Sequence, residues 1–246
     1  MDNQETNLIY GKNAVTETLN SGREIDTVYI QKGAALSKIV ALAKKNGVVI
    51  KEVSDERLTA ICGTPKHGGT AAELAAASYS TVEDILANAE QRGKPPFIII
   101  ADEIEDPHNL GAIIRTAEAA GADGLIIPKR RSAGLTAIVG KASAGAAEHM
   151  KIARVPNIPS VLKELKNEGV WVYGAAAGGS SELWSTDFTG SCAIVIGSEG
   201  DGMGRLVRES CDFIVSIPMA GKINSLNASA AASICLLYTS DAADEL

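Results

Sequence analysis

The chain has 246 residues, 46% of them hydrophobic and only 4% aromatic, with 24 glycines and a formal net charge of −7. That suits one large or two medium soluble α/β domains, and no apolar run reaches the length of a membrane span. Cys62, Cys192, Cys211 and Cys235 are widely spaced without a C-x-x-C, so buried free thiols are expected rather than a metal site or a disulfide frame.

Residues 1–10 (MDNQETNLIY) are acidic and polar, unlike a secretory leader, which predicts a cytoplasmic location. Residues 8–20 read as a short amphipathic helix after a turn at Gly11, 26–31 as a strand, 36–46 as a helix and 48–53 as a strand. Ser54 and its acidic neighbours cap a further short helix, and 71–75 closes the unit as a strand. The first domain is therefore placed at 1–75, where nine acids balance nine bases. Thr81 is the N-cap of a helix over 81–91, and Arg92-Gly93-Lys94-Pro95-Pro96 stops it, so a linker is placed at 76–95.

From residue 96 the pattern becomes repeated strand–helix units, the signature of a mostly parallel sheet with helices on both faces. Strands are expected at 97–101, 124–127, 150–153, 170–175, 193–196 and 213–217. Helices are expected at 109–120, 135–143, 158–167 and 203–210, with a last one from about Leu226. The overall charge disfavours a polyanionic partner, but residues 107–155 hold seven bases against three acids. Local sign decides docking, so nucleic acid stays open.

Three stretches carry polar groups at strand ends, where open α/β sheets bind ligands. In the first, Pro107 forces a turn, Asn109 is read as a helix cap, and Arg115 follows one and two-thirds turns later. Arg115 is either a functional base or a solvated one paired with an acid. The second, Ile196-Gly197-Ser198-Glu199-Gly200-Asp201-Gly202, fails the G-x-G-x-x-G fingerprint because Arg205 stands where the third glycine belongs. Its glycines imply positive φ or close backbone approach, in a ligand loop or a plain turn. The third runs Ile217-Pro218-Met219-Ala220-Gly221 to Asn224-Ser225-Leu226-Asn227, whose polar groups either cap the last helix or hydrogen-bond a ligand.

In order and spacing, N-L-G-A-I-I-R-T-A-E-A-A-G, I-G-S-E-G-D-G-M and I-P-M-x-G-x-x-N-S-L-N-x-S resemble the three motifs of the SpoU (TrmH-type) branch of the SPOUT RNA methyltransferases. The N-terminal I-Y-G-K-N-A-V-T-E-T-L is similar to the small L30e-like α/β substrate-binding domain of two-domain members. The resemblance implies a SPOUT domain with a deep trefoil knot, against the usual unknotted topology. It also implies S-adenosylmethionine bound at Gly197, Ile217, Met219 and Leu226, and a homodimer with the site formed across the two-fold. Asn109, Arg115, Glu199, Ser225 and Asn227 fall on the family's functional positions.

The implied activity is methyl transfer to a ribose 2′-hydroxyl, of a guanosine in large-subunit rRNA ahead of tRNA. A non-catalytic RNA-binding protein of the same fold is the alternative. A 2′-hydroxyl is a poor nucleophile, so Arg115 is assigned to hold a phosphate and lower the hydroxyl's pKa, with Ser225 and Asn227 orienting the reacting groups. Lys129, Arg130, Arg131, Lys141 and Arg154 are assigned to RNA, read in an unpaired loop. Residues 235–245 (CLLYTSDAADE) depart from the family's charged helical ending and read like a translated sequencing adapter, so 235–246 are expected to be non-native within a second domain spanning 96–246.

Overall fold

The computed structural model describes residues 7–222 and 225–244; Asn224 of the third stretch and the last two residues lie outside the described residues. The chain divides into two compact units, Met1–Ser78 with Gly134–Ala137, and Tyr79–Ala133 with Ile138–Leu246.

The first unit contains β1 (Leu8–Tyr10), α1 (Lys12–Asn20), β2 (Ile25–Gln31), α2 (Ser37–Lys45), β3 (Val49–Val53), α3 (Asp55–Cys62) and β4 (Thr70–Leu74). Its sheet runs β1-β4-β2-β3, with β2 and β3 parallel and the other pairs antiparallel. Val15 and Leu19 of α1 and Ile39 and Ala43 of α2 close over Val28 and Ile30 of β2. The helix expected after the Gly11 turn is α1, with Gly11 at φ 96°, and the three residues before the turn add a strand, Leu8 lying opposite Glu73. Three residues are too few to show an alternating pattern in the sequence.

The second unit begins with α4 (Val82–Arg92) and continues through β5 (Phe97–Ala101), α5 (Pro107–Ala119), β6 (Gly124–Pro128), α6 (Ala137–Ala142), β7 (Lys151–Val155), α7 (Ile158–Asn167) and β8 (Trp171–Ala175). It closes with β9 (Ser181–Glu182), β10 (Cys192–Ile196), α8 (Arg205–Ser210), β11 (Phe213–Ser216) and α9 (Ala228–Asp244). The seven strands run β7-β6-β5-β10-β8-β11-β9, and all neighbours pair in parallel. Strands β5, β6 and β10 are buried throughout, which explains their continuous apolar runs. On one face Ile98, Ile100, Ala193 and Val195 pack under α4, α7 and α8. The alternate residues point to the other face, where α9 lies along α5 through Thr116 Oγ1 and Ser233 Oγ at 3.1 Å.

The stretch expected as a linker, 76–95, is mostly α4, and this helix is part of the second unit's core. Thr81 and Asp84 close a capping box at its start, and Ile85 is fully buried. Gly124 of β6 has no room for a Cβ, which would lie 2.5 Å from Ile85 Cγ1. The amphipathic face was visible in sequence, but what it covers was not. No helix among the described residues is long and apolar enough to cross a membrane, and no group of three His, Cys, Asp or Glu among them could hold a metal ion.

Candidate active site

Strand order builds the site. Because β10 inserts between β5 and β8, the loops after β5, β10 and β11 open at one edge of the sheet. Asp102, just past β5, donates its amide to Ile196 O at 2.8 Å, and its Oδ2 accepts the Gly204 amide at 2.8 Å. Burial pushes the Asp102 carboxyl above its ordinary value, and the Gly204 hydrogen bond only partly opposes that.

Asp106, not Asn109, caps α5: its Oδ1 accepts the His108 amide at 2.8 Å, with Pro107 in the first turn. Asn109 is thereby free to face the site. It is buried, and its Nδ2 donates to Glu199 Oε2 at 3.4 Å.

The second loop is pinned by two backbone hydrogen bonds, Ser198 N to Gly202 O at 3.0 Å and Gly202 N to Ser198 O at 3.1 Å. Gly202 is left-handed at φ 69°. Gly197 is required for a different reason, since a Cβ there would lie 2.2 Å from Met203 N. Glu199 stands exposed at the tip.

Asn227 caps the last helix and also reaches the other two stretches. Its Oδ1 caps α9 by accepting the Ser229 and Ala230 amides at 2.9 and 3.3 Å. Its Nδ2 donates to Glu199 Oε1 at 2.6 Å and to Asn109 Oδ1 at 3.0 Å. One residue from each of the three stretches thus meets in a triangle.

Glu199 of the triangle is also on the wall of a cavity of about 640 Å³. Gly197, Ile217, Met219, Ser225 and Leu226 are all on its wall, with the buried Ile196 beside them. A second cavity of about 300 Å³ shares Ser198, Glu199, Gly200, Asp201 and Ala228 with the first, and adds Asn109, Glu103, Asp106 and Arg131. Glu103 and Asp106 were not singled out in the sequence as site residues. An aspartate directly before a proline that opens a helix was the available signal for Asp106.

Arg115 is exposed on α5 and lines neither cavity. The five expected RNA-contacting bases separate. Arg131 pairs with Glu103 at 2.8 Å and lines the second cavity, while Arg130 and Lys141 are exposed away from both. Lys129 is half-buried where its amide meets Val155 O, and half-buried Arg154 stacks over the Tyr79 ring, 5.4 Å from its centroid.

The model of the SpoU rRNA methylase family matches residues 96–237, and that of RNA 2′-O ribose methyltransferase substrate binding matches residues 8–80. YacO of Bacillus subtilis (strain 168), named for the TrmH family of tRNA/rRNA methyltransferases, is 47% identical over 239 residues, spanning 96% of this chain and 95% of its own. A Staphylococcus saprophyticus protein of the same family name is 42% identical over 232 residues, 93% of each chain. Among solved structures, the SpoU methyltransferase AviRb from Streptomyces viridochromogenes, in complex with AdoMet, is similar in fold at a TM-score of 0.61 and 23% identity, over 95% of this chain and 89% of its own. The AdoMet-bound rRNA methyltransferase from Sinorhizobium meliloti matches at 0.59 and 25% identity, over 94% and 85%. With both halves matched by family models and a relative at 47% identity along almost the whole chain, this protein belongs to the SpoU/TrmH family of RNA methyltransferases.

Proposed function

We propose that the chain is an S-adenosylmethionine-dependent ribose 2′-O-methyltransferase whose target is a guanosine of large-subunit rRNA. The observation that carries the reading is the Asn109–Glu199–Asn227 triangle, whose Glu199 is on the wall of the 640 Å³ cavity. That volume lies within the range of small-molecule sites, and the wall combines apolar Ile196, Ile217 and Leu226 with glycine-rich backbone. The residues present therefore fit an adenosyl group with a polar tail. When bound, S-adenosylmethionine supplies an electrophilic methyl on a sulfonium sulfur. Gly197, Ile217, Met219 and Leu226 would hold it.

The chain's own groups prepare the hydroxyl. Both Nδ2 hydrogens of Asn227 are committed to Asn109 and Glu199, which fixes the Glu199 carboxylate in place. Remaining lone pairs on Glu199 can accept the 2′-hydroxyl proton's hydrogen bond, raising charge density on the attacking oxygen. Ser225, on the cavity wall, orients the reacting groups. Arg115 acts from outside its own cavity, which suits a homodimer in which a second copy brings it to the partner's acceptor. We also read α9, returning along α5, as the threaded end of the knotted fold that the family resemblance implies.

The rRNA assignment rests on the two-domain build, and tRNA is the competing substrate. Incubating the protein with S-adenosylmethionine and unmodified large-subunit rRNA or tRNA transcripts, then mapping ribose methylation by mass, decides between them. A single 2′-O-methylguanosine in the rRNA is expected. Methylation of tRNA alone overturns the rRNA assignment, and a methyl on a base, or on neither RNA, overturns the reaction.

A further inference from the structure

Among the described residues, the non-glycine positions with left-handed backbone are Glu103, Arg131 and Ala144, at φ 56°, 56° and 52°. Such conformations are costly without glycine and persist only where the surroundings impose them, commonly at functional sites. Two of these three face each other. Glu103 follows β5, and Arg131 follows the adjacent parallel strand β6. The two loops are tied by the Ala133 amide donating to Ile104 O at 2.8 Å and by Arg131 Nη1 donating to Glu103 Oε1 at 2.8 Å. The imposed backbone brings both side chains to the wall of the 300 Å³ cavity that holds Asn109 and Glu199.

The charge arrangement there is one-sided. Glu103, Glu105, Asp106, Glu199 and Asp201 are on the wall, and Arg131 is the single base among the described residues lining it. A phosphodiester is repelled from the carboxylates and met by one guanidinium, so the lining favours a nucleotide with its phosphate at Arg131 and its ribose on the side of Asn109 and Glu199. The Arg131 side chain is 68% exposed, so its ion pair with Glu103 is weak and exchangeable.

Resting on the reading of the chain as an RNA ribose methyltransferase, we propose that Arg131 is the positioning residue for the phosphate beside the methylated ribose. Glu103 holds the guanidinium over the cavity until RNA arrives, and binding exchanges the carboxylate for the phosphate. Ligands without a phosphate cannot displace Glu103, which favours the polymer over a free nucleoside.

Arg131→Ala, Arg131→Lys and Glu103→Gln test this through RNA affinity against KCl concentration, and through KM and kcat on unmodified large-subunit rRNA and tRNA transcripts. Arg131→Ala should raise KM about tenfold with a smaller change in kcat, and reduce the salt slope by about one phosphate contact. Arg131→Lys should recover part of the loss. Glu103→Gln should bind RNA more tightly than the wild type, since it removes the competitor, even if its melting temperature drops. If the pair only braces the loops, Glu103→Gln binds RNA more weakly or equally, or Arg131→Ala leaves the salt slope unchanged, and either result overturns the proposal. Should neither transcript be methylated, the assigned reaction fails while RNA affinity and salt slope still decide the role of Arg131.

Discussion

Single residues in this site do two things at once, and substitutions can separate them. Asn227 caps α9 through Oδ1 and anchors Glu199 through Nδ2. Asn227→Ala loses both and should cost about 1 kcal/mol of stability along with turnover. Asn227→Ser keeps a capping oxygen but no donor pair, so its denaturation midpoint should stay near the wild type while methyl transfer falls as far as in the alanine variant. Equal turnover in Asn227→Ser and the wild type would remove Asn227 from the site's chemistry.

Asp102 gives a pH signature at the same scale. Burial raises its folded-state pKa above the ordinary 3.8, so the native state binds more proton than the unfolded state between those two values. Its contribution is therefore fully present below 3.8 and is lost as the pH rises through the raised folded value. Asp102→Asn retains an oxygen for the Gly204 amide and avoids burying a charge. Thermal unfolding across pH should show it more stable than the wild type near neutrality, with the difference shrinking in acid; a constant difference would contradict the assignment.

Among elements, α4 tests how the chain is divided. Its Ile85 packs onto Gly124 and into the core with Ile98 and Ile126. Ile85→Ala should destabilise the protein by about 2–5 kcal/mol in denaturant unfolding, as for a buried core side chain. A helix that merely spaced two domains would lose well under 1 kcal/mol. The neighbouring element of most consequence is α5, whose start is set by Asp106 and Pro107. Asn109 falls on the apolar stripe of Leu110, Ile113, Ile114 and Ala117 and Arg115 falls off it, so helical periodicity places one inward and the other outside.

At the scale of the whole molecule, Arg115 gives a test of the proposed homodimer. It is exposed, it lies on α5 next to α9, and it lines neither of the two cavities at the site. Mixing Arg115→Ala and Asn227→Ala proteins, each inactive alone, should restore activity in mixed dimers to about half the wild-type value, because one of the two shared sites is then intact. No recovery after confirmed subunit exchange would place Arg115 in its own chain's site or outside the chemistry. The net charge of −7 gives no sign of an RNA partner, whereas the match of residues 8–80 to an RNA 2′-O ribose methyltransferase substrate-binding family does.

The sequence by itself determined much of this protein. Strands β5 and β10 were legible as unbroken apolar runs, because a strand buried on both faces admits little else. The three polar stretches were legible from glycine, proline and asparagine at strand ends, where backbone conformation restricts residue choice. Short β1 and β9 were not legible, since two or three residues carry no period. Which residues meet was decided only by tertiary structure. Inserting β10 between β5 and β8 brings Asn109, Glu199 and Asn227 together from positions 28 to 118 residues apart. The same strand order sets the loops after β5 and β6 side by side and pairs Arg131 with Glu103. Such contacts depend on strand order rather than on local pattern, so no window along the chain contains them.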